Sequence, residues 1–298
     1  MIYLIGSIVL TSYLTLAFKA CEKFNVSIFP AIVFNYITCV ITGSIVNGAF
    51  PINAGVVDTD WFRWACLMGV LFISIFNLIG ITAQKNGVAV ASVATKLSLI
   101  IPVVLSVYLY NETVTGWKLV GVVLALFAVV LTCFPANEIQ QAAHNKNKLN
   151  SIAYVIPLIL FLGSGLLDAL INHVQINYVT NENSNAYLIS GFFSAAIIGL
   201  LILLAQYISK KRRFEWKQLF AGVIIGVPNY FSIWCLIRFL KQSPWETSAS
   251  IPMNNMGIVL FSTLAAAILF KEKLTLINKM GVLLAAVAIL LIAFGNSW

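Results

Sequence analysis

The sequence predicts an all-α integral membrane protein: ten transmembrane helices arranged as two inverted five-helix repeats. Composition, the spacing of apolar runs and an internal repeat carry that expectation. Of 298 residues, 60% are hydrophobic and 9% charged, and mean hydropathy is +0.95. A soluble domain carries about 25% charged residues, so this composition excludes a soluble globular enzyme and a disordered chain alike. A spanning helix takes about 20 apolar residues. Ten spans therefore leave roughly ten residues for each connection, too few for an extramembrane domain.

The first apolar run covers 2–20. No lysine or arginine precedes it and no small-residue cleavage site follows it. Lys19 and Lys23 come after it instead, so it reads as a retained span and not as a signal peptide. Further runs, bounded by polar or Gly/Pro punctuation, fall at 28–48, 61–84, 88–110 and 115–134. After them come 151–179, 185–208, 216–240, 245–270 and 275–295. Thr115 and Thr275 stand where they can cap the fifth and tenth spans. Ser243, Pro244 and Glu246 have the spacing of a capping box with a first-turn proline, which accounts for an acid at a membrane edge without a functional role.

Residues 136–150, following Pro135, form the one long polar stretch and divide the chain into a first half, 1–135, and a second, 151–298. Sliding the chain against itself by 160 positions lays 109–134 over 269–294 with 10 identities in 26. Among them are Glu112/Glu272, Thr115/Thr275, Gly121/Gly281, Ala125/Ala285 and Ala128/Ala288. Apolar composition supplies some Leu and Ala matches, but it does not readily set Glu, Thr and Gly at one spacing twice. An offset of 152 pairs Trp64 with Trp216 and Asn77 with Asn229. Because five is odd, the two copies must enter the membrane in opposite directions, the arrangement that alternating-access carriers use.

Net charge is +8. In a soluble chain that balance raises nucleic-acid binding. Here the basic residues lie between apolar runs and mark one side of a bilayer. Alternate loops hold thirteen of them (Lys19, Lys23, Lys85, Lys146, Lys148, Lys210, Lys211, Arg212, Arg213, Lys217, Lys271, Lys273 and Lys279) and the other side four (Arg63, Lys118, Arg238 and Lys241). The positive-inside rule then puts both termini outside the cytoplasm. The run Lys210–Arg213 also suits a lipid-headgroup patch, which would leave its loop on the same side. Cys21, Cys39, Cys66, Cys133 and Cys235 are odd in number and scattered, which reads as small packing residues, with neither a disulfide framework nor a metal site.

An ionisable residue inside a span costs about 2.5–3.5 kcal/mol on insertion scales and is a functional candidate by default. Lys96 in the fourth span and Asp168 in the sixth meet that description. Asp168 belongs to the series Ser164, Asp168, Asn172 and Gln175, whose spacings share one helical face, with His173 beside it. Either the pair lines a cavity, or it forms a structural ion pair between the halves. Asn77 lies on a polar stripe with Ser74 and Gln84, and Asn229 follows Gly222 and Gly226. Asn254 and Asn255 occupy the middle of the ninth span, close to the position equivalent to Lys96, and Asn35 lies with Thr38 and Thr42. Any one buried amide can act as a helix bridge worth about 0.6 kcal/mol. Polar faces on five spans together fit a central cavity better.

The stretches from Pro102 through Glu112 to Gly121, and 261–281 in the second half, are similar to those of the drug/metabolite transporter superfamily, its EamA-like ten-span branch above all. Ser262 departs from that pattern, standing where the second copy of Pro102 would fall. The resemblance implies small-molecule transport without naming the solute, since members are typically exporters or exchangers of metabolites, amino acids or drugs.

The expected activity is that of a secondary transporter, an exporter or exchanger moving a small polar or amphipathic metabolite, such as an amino acid, by alternating access around a central cavity. A channel and a non-transporting membrane scaffold are the alternatives. No HExxH, GxSxG or acidic pair suits an enzyme. Lys96 would meet a carboxylate or phosphate of the solute, Asn35, Asn77, Asn172, Gln175, Asn229, Asn254 and Asn255 would orient it, and Tyr36 or Trp234 would flank it. Asp168 would carry a coupling proton or neutralise Lys96. The expected partners are a small-molecule substrate and the lipid bilayer of a plasma (bacterial inner) membrane, with no nucleic acid and no cofactor.

Overall fold

A computed structural model describes residues 2–101, 116–133, 151–180, 182–211, 213–242, 247–271 and 274–295, and throughout these the chain is helix, turn or bend with short irregular connections. Among the described residues eleven helices follow one another: α1 (Ile2–Lys23), α2 (Ile28–Asn47), α3 (Ala54–Val57), α4 (Asp60–Lys85), α5 (Val88–Leu97), α6 (Gly116–Cys133), α7 (Ser151–Asn177), α8 (Ser184–Ile208), α9 (Trp216–Gln242), α10 (Thr247–Leu269) and α11 (Leu276–Phe294). Length and apolar composition suffice for α1, α2, α4, α8 and the Trp216–Phe239 part of α9 to cross a membrane. Shorter apolar helical stretches lie in α5, α6, α7, α10 and α11. The chain is thus an all-α protein with the helices of a multi-pass membrane protein.

Apart from the four-residue α3, each described helix lies in one of the apolar runs of the sequence. The fourth run departs in one respect. Its helix stops at Leu97, passes through a turn at Ser98–Leu99 and resumes at Ile100–Ile101, the turn held by Ile101 N–H donating to Ser98 O at 2.9 Å. The polar linker 136–150, Glu112, Thr115, Glu272 and the Ser243–Glu246 box lie outside the described residues.

Local chemistry sets several boundaries. Gly48 ends α2 at φ 80° with its N–H on Ile45 O, and Gly87 opens α5 at φ 101°; both values favour a residue without Cβ. Thr275 caps α11 as its sequence position implies: its hydroxyl accepts from Asn278 N–H at 3.2 Å, and Asn278 Oδ1 accepts from Thr275 N–H at 3.2 Å. The Asn278 Nδ2 also donates to Leu131 O at 3.3 Å and Thr132 O at 3.0 Å. One side chain thereby closes the start of α11 and satisfies carbonyls that the last turn of α6 leaves open.

Contacts divide the chain into two compact units, one of residues 1–19, 78–165 and 232–298, the other of 20–77 and 166–231. In the first, α6 packs along α11, α10 packs on α5 and α11, and α5 packs on α6. The α6–α11 pair is antiparallel. A Cβ built on Gly121, near the start of α6, would lie 2.9 Å from Ile292 Cγ1 and 3.0 Å from Leu291 Cβ, near the end of α11. A Cβ on Gly281, near the start of α11, would lie 2.7 Å from Thr132 N and 3.0 Å from Leu131 C, near the end of α6. Small residues at both crossings let the backbones approach closely, the packing device membrane helices use without a hydrophobic drive between them.

In the second unit α2 packs on α8. Its core is aromatic: the ring of Tyr36 lies 6.0 Å from Phe72, 5.5 Å from Phe76 and 5.9 Å from Phe192. The Tyr36 hydroxyl donates to Phe72 O at 2.9 Å, so the one polar atom of that buried ring is satisfied.

Candidate functional site

The second unit brings two of the candidate amides into direct contact. On α9, Gly222 and Gly226 form a Gly-x-x-x-Gly face against α2. A Cβ on Gly222 would lie 2.9 Å from Asn35 N, and one on Gly226 would lie 2.7 Å from Asn35 O. That close approach places Asn229 Nδ2 3.1 Å from Asn35 Oδ1, to which it donates. Cys39 Sγ lies 3.4 Å from Gly226 O on the same seam. Asn35 is 0% and Asn229 1% exposed. Asn35 Nδ2, in contrast, has no hydrogen-bond partner among the described residues. A buried donor left in that state costs about 1–3 kcal/mol.

The first unit holds Lys96, Asn254 and Asn255. Val88 of α5 shares a buried cluster with Ala266 of α10, and Ser262 donates to Ser92 at 2.8 Å. The helices are therefore antiparallel, and continuing their register sets Lys96 level with Ile258, about one turn of 5.4 Å from Asn254. Lys96 is half-buried in the last turn of α5, just before the Ser98–Leu99 turn. Thr95 and Ser98 bond back to their own helix, Thr95 Oγ1 to Ala91 O at 2.9 Å and Ser98 Oγ to Thr95 O at 2.6 Å. Asn254 is 2% exposed, and its Oδ1 has no partner among the described residues. Asn255 is half-buried.

The remaining candidates are placed less informatively. Asn77 is half-buried and its Nδ2 donates to Ile73 O at 2.6 Å, one turn back on α4, a bond that uses part of its capacity within its own helix. Asp168 is exposed on α7, whereas Ser164, one turn earlier, is 5% exposed; equal spacing on one face does not give those two residues equal environments. Asn172 and Gln175 belong to the backbone of α7, and their side chains lie outside the described residues. Tyr36 belongs to an aromatic core and not to a solute-facing wall. Trp234 is half-buried, with Tyr3 edge-on at 5.7 Å and the Arg238 guanidinium 4.9 Å over its ring.

Two features escaped the sequence reading. Asn278 pairs with Lys118 in the 160-residue register, so the repeat gave it no identity to mark it. A cavity of about 340 Å³ lined by Asp60, Arg63, Trp64, Leu67 and Tyr178 contains none of the candidate residues. Its signal in the sequence is the Asp-x-x-Arg-Trp order that opens α4, where Arg63 counts toward the charge bias and Trp64 toward the repeat, and neither use points to a hollow.

No protein-family model matches the chain. An uncharacterized protein of Haemophilus influenzae is 24% identical to it over 294 residues, 96% of this chain and 95% of that protein.

Proposed function

We propose that this protein is a ten-span secondary transporter of the drug/metabolite type, built from two inverted five-helix repeats and moving a small polar or amphipathic metabolite, such as an amino acid, by alternating access as an exporter or exchanger. The observation that carries the reading is the exchange of contacts between α6 and α11. The 160-residue offset turns Gly121 into Gly281 and turns 131–132 into 291–292. Gly121 meets Leu291 and Ile292, while Gly281 meets Leu131 and Thr132. Each partner thus makes the other's contact, as residues do across a two-fold axis.

The α5–α10 register supports the same axis. Under the same offset Leu97 corresponds to Gly257, and the spacing of Val88 with Ala266 and of Ser92 with Ser262 sets Leu97 opposite Gly257. Positions that come level with their own counterparts lie near the local two-fold, although a Cβ on Gly257 would point at Ile8 of α1. Lys96 is the neighbour of Leu97, and inverted-repeat carriers bind their solutes near that axis, often where a helix is interrupted. In this reading Lys96 meets an anionic group of the solute and Asn254 and Asn255 orient the rest.

The test is exchange in proteoliposomes, with solutes first selected from an amino-acid and organic-acid panel by thermal shift, since a ligand stabilises the state that binds it. Uptake that saturates and is accelerated by the same solute inside the vesicle is expected. Flux that rises linearly with solute and ignores the inside concentration would overturn the carrier in favour of a channel. Absence of flux for every stabilising solute would favour a scaffold.

A further inference from the structure

The cavity at the start of α4 combines two chemistries that the fold does not need together. Arg63 Nη2 lies 3.4 Å from Asp60 Oδ1, with side chains 84% and 77% exposed. So open a pair is weak and readily parted. Beside it three rings form a near-equilateral triangle: Trp64 and His173 at 6.0 Å, Trp64 and Tyr178 at 6.1 Å, His173 and Tyr178 at 6.2 Å. Trp64 and Tyr178 line the cavity with Leu67. Aromatic residues at a membrane edge are ordinary as an interfacial belt. A belt accounts for the rings, and Asp60 in the first turn with Arg63 three residues on is an ordinary helix-surface pair; what sets the place apart is that both charges and two of the rings line one hollow.

We propose that this cavity is a binding site for a small zwitterion bearing an apolar or aromatic group. Asp60 takes its ammonium, Arg63 its carboxylate or phosphate, and Trp64, Leu67 and Tyr178 seat the apolar part. The charges have the right signs and spacing. A guanidinium presents planar, paired donors to a carboxylate or phosphate, and a carboxylate separated from it by one hydrogen-bond length accepts the adjoining ammonium. An ammonium is also attracted to the faces of Trp and Tyr. The volume, about 340 Å³, stands at the small end of the roughly 300–1,000 Å³ typical of ligand pockets, which suits an amino acid or a lipid headgroup and not an acyl chain. The inference rests on the carrier reading only for its use, as a subsite where solute collects before or after transport. Binding is measured without flux.

The experiment is equilibrium dialysis of the purified protein in detergent with labelled L-phenylalanine, phenethylamine and 3-phenylpropionate, repeated on Asp60→Asn and Arg63→Gln. L-Phenylalanine is expected to bind best. Asp60→Asn should weaken phenylalanine and phenethylamine roughly threefold and leave phenylpropionate alone, and Arg63→Gln should do the reverse for the two analogues, about threefold being the worth of one exposed ion pair. A second arm compares nanodiscs of phosphatidylethanolamine with nanodiscs of phosphatidylglycerol. Weaker phenylalanine binding in the former assigns the site to a lipid headgroup, and equal binding assigns it to the free amino acid. Affinities unchanged by both substitutions, or analogues that bind as well as phenylalanine, would overturn the site. Saturable exchange that persists alongside that result leaves the carrier reading intact.

Discussion

Gly121 and Gly281 occupy equivalent places at opposite ends of one antiparallel helix pair, each pressed against the final turn of the other's helix. Gly121 lies near the start of α6 against Leu291 and Ile292, and Gly281 near the start of α11 against Leu131 and Thr132. Both approaches involve partner backbone, so a methyl group at either position cannot be absorbed by a side-chain rotation. Overpacking of this kind costs about 1–3 kcal/mol.

Substitution of either glycine by alanine should therefore lower the melting temperature in detergent. Gly281→Ala should do so more, because its Cβ would stand 2.7 Å from Thr132 N while that of Gly121 would stand 3.0 Å from Ile292 N. Melting curves that match the parent for both variants would show that the helices are not packed in this way, and with that the exchange of contacts would fail.

The α2–α9 seam gives a coupled expectation. Asn229→Leu removes the amide donor to Asn35 Oδ1, leaving that buried oxygen only the long contact from Cys39 Sγ at 3.8 Å, which should cost about 1–3 kcal/mol. Asn35→Leu removes the acceptor and leaves the buried Asn229 Nδ2 without this bond, so it should cost a comparable amount. The double variant should be more stable than the sum of the two changes, because residues in contact are not additive. Thermal melts of the three proteins decide it. Losses that simply add in the double variant would mean that the two amides do not interact.

The helices were legible in the sequence because apolar length is a strong signal in a chain with so little charge. The cap at Thr275 was legible too, since it repeats a local pattern. Lys96, Asn254 and Asn229 stood out because polar groups in apolar runs are few. What periodicity could not give was which of them meet. The Asn35–Asn229 bond depends on the approach of α2 to Gly222 and Gly226, a contact between segments 194 residues apart. The end of α5 at Leu97 was equally hidden. The run 88–110 is continuously apolar apart from Lys96 and small hydroxyl residues, and hydropathy does not record where a helix turns. The cavity beside Trp64 lay at a boundary, where edge residues are usually read as anchors.

Orientation is open to a direct measurement. The thirteen-to-four division of lysine and arginine between alternate loops predicts that a reporter fused after Trp298 lies outside the cytoplasm. Alkaline phosphatase fused there should be active and a fluorescent protein dark. The opposite result would mean that the charge bias does not set the topology or that the number of spans is not ten.

In the proposed mechanism Lys96 meets the solute's charge, and it offers the most exacting test of that proposal. Replacement by methionine keeps the length of the side chain and removes its charge. At midspan a lysine costs about 2.5–3.5 kcal/mol on insertion scales that methionine does not, so Lys96→Met should fold. Exchange of an anionic solute should fall sharply, because in a site of low effective dielectric a lost charge partner is worth far more than it is in water. The thermal shift caused by that solute should disappear in parallel, which separates loss of binding from loss of movement. A fall in melting temperature, with the solute's thermal shift retained, would place Lys96 among structural ion pairs. A variant that melts, binds and exchanges like the parent would remove Lys96 from the solute's path, and the requirement for an anionic group on the solute would go with it.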